Sequence, residues 1–247
     1  MSSAAALRAA AAIGPYFAWD PWSDGAGWRP LTDLTDGDVV AERVAAARTA
    51  LIGMFGLAEE AVPDRVVASV TFLGVASRLL SAPLGASVLG GVLPAPRLGE
   101  LWWRPVAGGP WPMAYSGATA GGDYVTEIVV DLVAPVLRAF QDRFVLSPQV
   151  LWGNVASALA GAAGMLADHR PGHAEAVARL VERVLARPPL AGTGRLVRPD
   201  PSRGRRFLIR HNCCLYYRIP GGGTCGDCVL TAEADRLRGW RSVLDSR

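Results

Sequence analysis

The chain has 247 residues, 51% of them hydrophobic, and a formal net charge of only +3. That length suits one large domain or a main domain with a small appendix, and the apolar content excludes a compositionally disordered chain. So small a charge makes no case for nucleic acid as a partner. All 25 basic residues are Arg, which leaves a surface suited to forked contacts with oxyanions.

From the N-terminus, Met1–Ala12 is Ala-rich, and Gly14 and Pro15 interrupt it before a signal-peptide core forms. Residues 1–35, with Trp19, Trp22 and Trp28, read as an irregular arm or short helices packed by aromatics. Asp38–Gly53 and Pro63–Ser81 carry apolar residues at helical spacing, with Pro63 tolerated in a first turn. Between Ala86 and Gly117 the chain breaks into short apolar runs, Ser87–Leu93, Glu100–Arg104 and Trp111–Tyr115. They predict a small antiparallel sheet of two or three strands. Thr126–Phe144 places Val129, Leu132, Val136, Phe140 and Phe144 on one helical stripe, with a kink expected at Pro135.

Ser147-Pro148 opens the next helix, running to about Asp168. One of its faces carries Asn154, Ser157 and Gly161, small enough for a neighbour to approach closely. Ala174–Arg187 is amphipathic. The Pro-, Gly- and Arg-rich stretch from Pro188 to Arg205 is the clearest boundary. It separates a body, residues 1–190, from a C-terminal segment, residues 205–247. In that segment Arg206–Arg210 and Leu215–Ile219 read as strands, followed by a helix from about Thr231 to Leu244. The uncharged runs Leu79–Pro96 and Leu151–Ala167 are poor membrane spans: the first holds three prolines and three glycines, the second is short. The expectation is a cytoplasmic protein without integral membrane insertion. Its fold class is α+β, a mainly helical body with a small antiparallel β-sheet and a C-terminal segment that carries the four cysteines.

All four cysteines, Cys213, Cys214, Cys225 and Cys228, lie within sixteen residues. Cys225-x-x-Cys228 is a natural chelate, and Gly226 is expected to relieve its turn. Gly221-Gly222-Gly223 lets the backbone fold back so that the two pairs meet, with bare N–H groups turned toward sulfur. Adjacent residues of an extended strand face opposite ways. Cys213 and Cys214 therefore bind one object only if the backbone turns there, or if the object is met from two sides. A two-iron cluster suits that better than a single zinc ion, which usually takes separated chelating pairs. A structural zinc ion on the four thiolates, redox thiols and a strained vicinal disulfide remain the alternatives.

The pattern of two adjacent Cys, ten residues, Cys, two residues, Cys resembles the C-terminal signature of the FhuF-type ferric-siderophore reductases. Leu215-Tyr216-Tyr217-Arg218 and Cys225-Gly226-Asp227-Cys228 match it, and Leu151-Trp152-Gly153-Asn154 is similar to a second family segment. The resemblance implies one [2Fe–2S] cluster on the four cysteines, which are then the catalytic and metal-binding residues. It implies one-electron reduction of Fe(III) in a ferric siderophore, typically of the hydroxamate type, and an electron donor such as a ferredoxin or a flavodoxin-like protein. An electron carrier that binds no siderophore and a zinc-holding binding module are the rival functions.

The substrate-binding candidates are Trp152, Asn154, Arg206, Arg210 and Tyr217. Arg205, Arg206, Arg210 and Arg218 form a basic neighbourhood, suited either to balancing the cluster's charge or to docking an acidic donor. Trp102, Trp103, Trp111 and Trp152 are weighed as an apolar siderophore wall against ordinary core. His211 is weighed as a substitute ligand, and Asp227 as a turn residue. No phosphate loop, H-E-x-x-H or nucleophile elbow is present.

Overall fold

The structure is a computed structural model that describes residues 1–106 and 109–246. Among the described residues it is α+β, with seven α-helices and three small sheets. The helices are α1 Ser3–Ala11, α2 Gly37–Phe55, α3 Asp64–Gly90, α4 Ala134–Phe144, α5 Pro148–His169, α6 Ala174–Leu185 and α7 Glu233–Asp245. The strands are β1 Asp20–Pro21, β2 Arg29–Pro30, β3 Leu93–Ala95, β4 Leu101–Trp103, β5 Met113–Tyr115, β6 Thr119–Gly121, β7 Gly194–Val197 and β8 Phe207–Arg210. The largest sheet runs β1-β5-β4-β2, antiparallel except for the β1–β5 pair; β3–β6 and β7–β8 are antiparallel hairpin-like pairs.

Helix α3 is the spine. It packs against α1 and α2 on one side and α5 on another, and its residues from Leu79 to Ala86 are all buried. Here the sequence reading needs correction: Ser87–Leu93 is mostly the end of this helix, not a strand. Pro83 and the glycines that looked like breakers sit inside it. Gly85 and Gly90 are there for contact: a Cβ on Gly85 would lie 2.9 Å from Ala10 Cβ and from Phe17 Cδ1, and one on Gly90 would lie 2.5 Å from Ala6 Cβ. Helix α1 can press onto α3 only because those methyl groups are missing. Helices α3 and α5 are both long and apolar enough to cross a membrane, but 72% of each apolar window is packed inside the molecule.

Arg78 on α3 is 3% exposed and ties the N-terminal arm to the spine. Its guanidinium donates to the carbonyls of Pro15, of Ala18 (2.8 Å) and of Trp111 (2.8 Å), and burial brings its pKa down to about 10. The α2 start is capped by Asp36, whose Oδ1 accepts from the N–H of Asp38 (2.7 Å) and of Val39 (3.3 Å). The kink expected at Pro135 takes another form. Val125–Val133 is π-helical and becomes α-helical at Ala134, just ahead of the proline, which has no N–H for an i→i−4 bond.

Two corrections fall in the C-terminal third. The boundary stretch holds β7, the partner of β8. Leu215–Ile219 is not a strand: Leu215 is left-handed (φ 68°) and Tyr216–Arg218 forms a 3-10 turn. One extensive core unites the helices. A small satellite core of Phe207, Trp240 and Leu244 joins β8 to α7.

Candidate metal centre

Strand β8 delivers the chain to Arg210, and from there the cysteine segment is strapped to the helical body by a chain of polar contacts. Arg210, 1% exposed, donates from Nη2 to Asn154 Oδ1 (2.9 Å) and from Nε to the Asn212 carbonyl (3.1 Å). Asn154, fully buried on α5, donates to the Ser69 carbonyl (2.9 Å) and Oγ (3.0 Å) on α3. Ser69 Oγ in turn donates to the Cys214 carbonyl (2.8 Å). Asn212 donates to the Gln149 carbonyl (2.6 Å) and lies where a side chain on Gly153 would be, with its Oδ1 1.8 Å from that hypothetical Cβ. The Trp152-Gly153-Asn154 stretch thus has a physical role: Gly153 admits Asn212, and Asn154 links α3 to Arg210.

The backbone turns immediately after the adjacent cysteines. With Leu215 left-handed, its N–H donates back to Cys213 Sγ (3.3 Å). The chain then folds over Ile219, 1% exposed in the main core, and reverses through Gly221 (φ 76°) and Gly223 (φ 70°). This reversal brings Cys225 Sγ to 3.5 Å from Cys214 Sγ. Gly226 is not in the left-handed region. The Cys225–Cys228 turn is closed instead by the Cys228 N–H on the Cys225 carbonyl (3.1 Å). Two clamps hold it: Ser157 Oγ on α5 donates to Asp227 Oδ2 (2.6 Å), and Trp240 Nε1 on α7 donates to the Gly226 carbonyl (3.0 Å). Asp227 therefore anchors the turn.

The donor set fits an iron–sulfur cluster. Metal–thiolate bonds of about 2.3 Å at a tetrahedral centre place sulfurs about 3.8 Å apart, close to the Cys214–Cys225 separation of 3.5 Å. A two-iron cluster takes its thiolates in pairs, from two sides. Cys214 and Cys228 are buried at 2% and 3%, while Cys213 and Cys225 are partly exposed, so the centre has an inner and an outer edge.

The electrostatics favour thiolate at the inner edge. The Cys225 thiol, the Tyr216 N–H and the Arg210 charge bring the Cys214 pKa down to about 6. Cys225 is pushed up by its thiol bond to Cys214, by burial and by Asp227; Cys213 is pushed up chiefly by burial. Cys214 is therefore the first of these three to ionise, and the thiolate is the ligand form.

Beside the centre, α5, β8 and α7 enclose an open cleft of about 480 Å3. Cys225 and Asp227 form one wall, Phe207 and Gly161 another, and Arg236 and Trp240 of α7 a third. Trp240 stacks on Phe207 with ring centroids 5.1 Å apart. Neither Arg236 nor Trp240 stood out in the sequence; the amphipathic character of the last helix was the available signal. The face of α5 with Asn154, Ser157 and Gly161 is where the cysteine segment and this cleft lie.

The other sequence candidates are scattered. Asn154 and Arg210 reach no solvent, so they position the cysteine segment rather than touch a substrate. Arg206 borders the cleft but is bonded to Glu182 and Glu175. Arg205 pairs with Asp168. Of the four arginines in the basic neighbourhood, Arg218 is exposed and carries no ion pair among the described residues; it stacks on Tyr217, 42% exposed. Trp152 is half-buried and packs on the main core. The tryptophan wall does not form. Trp103 is buried against Trp111 (5.0 Å), and Trp102 stacks on Trp22 (4.8 Å), within the sheet region. His211 Nδ1 is 2.9 Å from the Gly192 carbonyl, a bond across the β7–β8 end rather than to the centre.

Four cysteines, two buried and two partly exposed, are thus strapped to a helical body as a thiolate site suited to an iron–sulfur centre. Residues 210–230 match the family model of the FhuF 2Fe-2S C-terminal domain, so this segment is a [2Fe–2S] domain of the FhuF type, associated with siderophore-iron reductases. No curated protein matches the chain.

Proposed function

We propose that this protein reduces Fe(III) held by a hydroxamate siderophore, one electron at a time, in the cytoplasm. The observation that carries the reading is the coincidence of the domain match with a folded thiol site whose outer edge, at Cys225, opens on a ligand-sized cleft. When bound, a [2Fe–2S] cluster supplies single-electron chemistry. Cys213, Cys214, Cys225 and Cys228 would hold it. The Leu215 N–H on Cys213 Sγ and the nearby charge of Arg210 favour added negative charge there, which makes the centre easier to reduce. Ser69, Asn154 and Arg210 hold the inner edge rigid, so little reorganisation accompanies electron transfer.

The substrate chemistry explains the usefulness of one electron. Hard chelating oxygens hold Fe(III) far better than Fe(II). Reduction loosens the complex, and the freed oxygens take protons from solvent. The donor is a low-potential one-electron protein of the ferredoxin or flavodoxin-like class. Arg218 and Tyr217 beside Cys213 suit its approach, because an acidic surface meets an unpaired cation there.

The test is anaerobic. Protein reduced with dithionite and freed of excess reductant is mixed with a ferric trihydroxamate beside an Fe(II)-specific chromophoric chelator. Reoxidation with one Fe(II) captured per cluster is the expected result. A reduced protein that persists for hours in the presence of the complex, yet transfers its electron to a protein acceptor, would make it a carrier instead.

A further inference from the structure

Within this reading, on which the inference rests, we propose that the cleft between α5, β8 and α7 is the seat of the ferric complex, with Arg236 donating hydrogen bonds to the chelating oxygens. The cleft's volume of about 480 Å3 falls in the range of roughly 300–1,000 Å3 typical of small-molecule sites. It also shares a wall with a cysteine of the centre, Cys225. A complex seated there would lie directly against the partly exposed outer edge.

The lining is selective in its charge. Asp227 is engaged by Ser157, Asp235 by Arg238, and Arg206 by Glu175 and Glu182. Arg236 differs. Among the described residues it forms no ion pair, and its guanidinium has one weak contact, Nη1 to the Thr231 carbonyl at 3.5 Å. Its guanidinium lies over the Trp240 ring, 5.6 Å from the centroid, on the cleft wall. A guanidinium so sparsely bonded on the cleft wall has donors to spare for an acceptor, and the charged oxygens of a hydroxamate chelate supply one. Such a bond also draws electron density from the oxygen and so favours Fe(II) over Fe(III). The stacked Phe207 and Trp240 rings offer an apolar surface for the ligand's backbone.

The cleft can be filled without disturbing its frame. A Cβ added at Gly161 on α5 or at Gly239 on α7 meets nothing within 4 Å, and both glycines line the cleft. The test uses the cluster-loaded full chain and the gallium(III) complex of a trihydroxamate, which has the shape and charge of the ferric complex but accepts no electron. Binding is read by calorimetry and by quenching of tryptophan fluorescence. Gly161→Phe and Gly239→Phe are expected to weaken binding at least tenfold with unchanged visible spectra, and Arg236→Gln to weaken it several-fold. Wild-type affinity in both glycine variants, with wild-type reoxidation by the ferric complex, would overturn the cleft and leave the reductase reading intact. No gallium binding and no reoxidation by wild-type protein would overturn both.

Discussion

Cys214 is tied to the helical body through its carbonyl, which accepts from Ser69, itself held by Asn154. Ser69→Ala removes the hydroxyl that joins α3 to the cysteine loop. The expected outcome is a loaded protein that loses its visible absorbance several times faster than wild type when challenged with a chelator, at a stability cost of about 1–2 kcal/mol. A sharper case is Gly153→Ala, because the new methyl occupies the space of the Asn212 side chain. That variant should load with less iron per chain, measured against protein concentration, and its wild-type-like folding can be checked by far-ultraviolet circular dichroism. The four thiols were legible in the sequence because their clustering and spacing are chemically improbable by chance. The strap was not, because nothing in single-residue chemistry says that an asparagine on one helix meets a serine on another. Arg206 and Arg210 looked alike in sequence, and only the fold separates an arginine paired with surface carboxylates from one enclosed by backbone and asparagine.

At the level of elements, the helix reading located α2, α5, α6 and α7 well, from apolar spacing at α2 and α6 and from the Ser147-Pro148 start at α5. It failed at α3. Proline and glycine are local signals for stopping a helix, yet tertiary burial outweighs them where every face of the helix is covered. The small residues then become the means of close packing with α1. Gly85→Leu should therefore destabilise the protein by about 1–3 kcal/mol, as overpacking does, measured as a lowered denaturant midpoint with an unchanged m-value. Likewise Leu215–Ile219 reads as a strand by residue type, but the ligand geometry requires a turn after Cys214 and Leu215 accepts a left-handed backbone to make it. Arg78→Leu would leave three carbonyls without their donor. A loss of about 3 kcal/mol or more is expected, with increased hydrogen exchange confined first to residues 12–22.

On the scale of the whole molecule, the C-terminal segment rests on a body whose core is already extensive, and α7 closes over it through the small satellite core. Removing the metal should accordingly leave the helical circular dichroism nearly intact while residues 211–231 lose protection from exchange. That contrasts with small metal domains that unfold outright on chelation. The cluster's own stabilisation is then local, fixing the loop that carries Cys225 and the wall it shares with the cleft.

A redox-active two-iron centre on the four cysteines carries a distinctive magnetic signature. Its most direct measurement is the electron paramagnetic resonance spectrum of anaerobically purified protein, oxidised and then reduced with dithionite, taken together with iron and zinc content. About two irons per chain, a silent oxidised state, and an S = 1/2 signal on reduction that is lost in Cys225→Ser are expected. A colourless protein with one zinc per chain and no signal after reduction would contradict it.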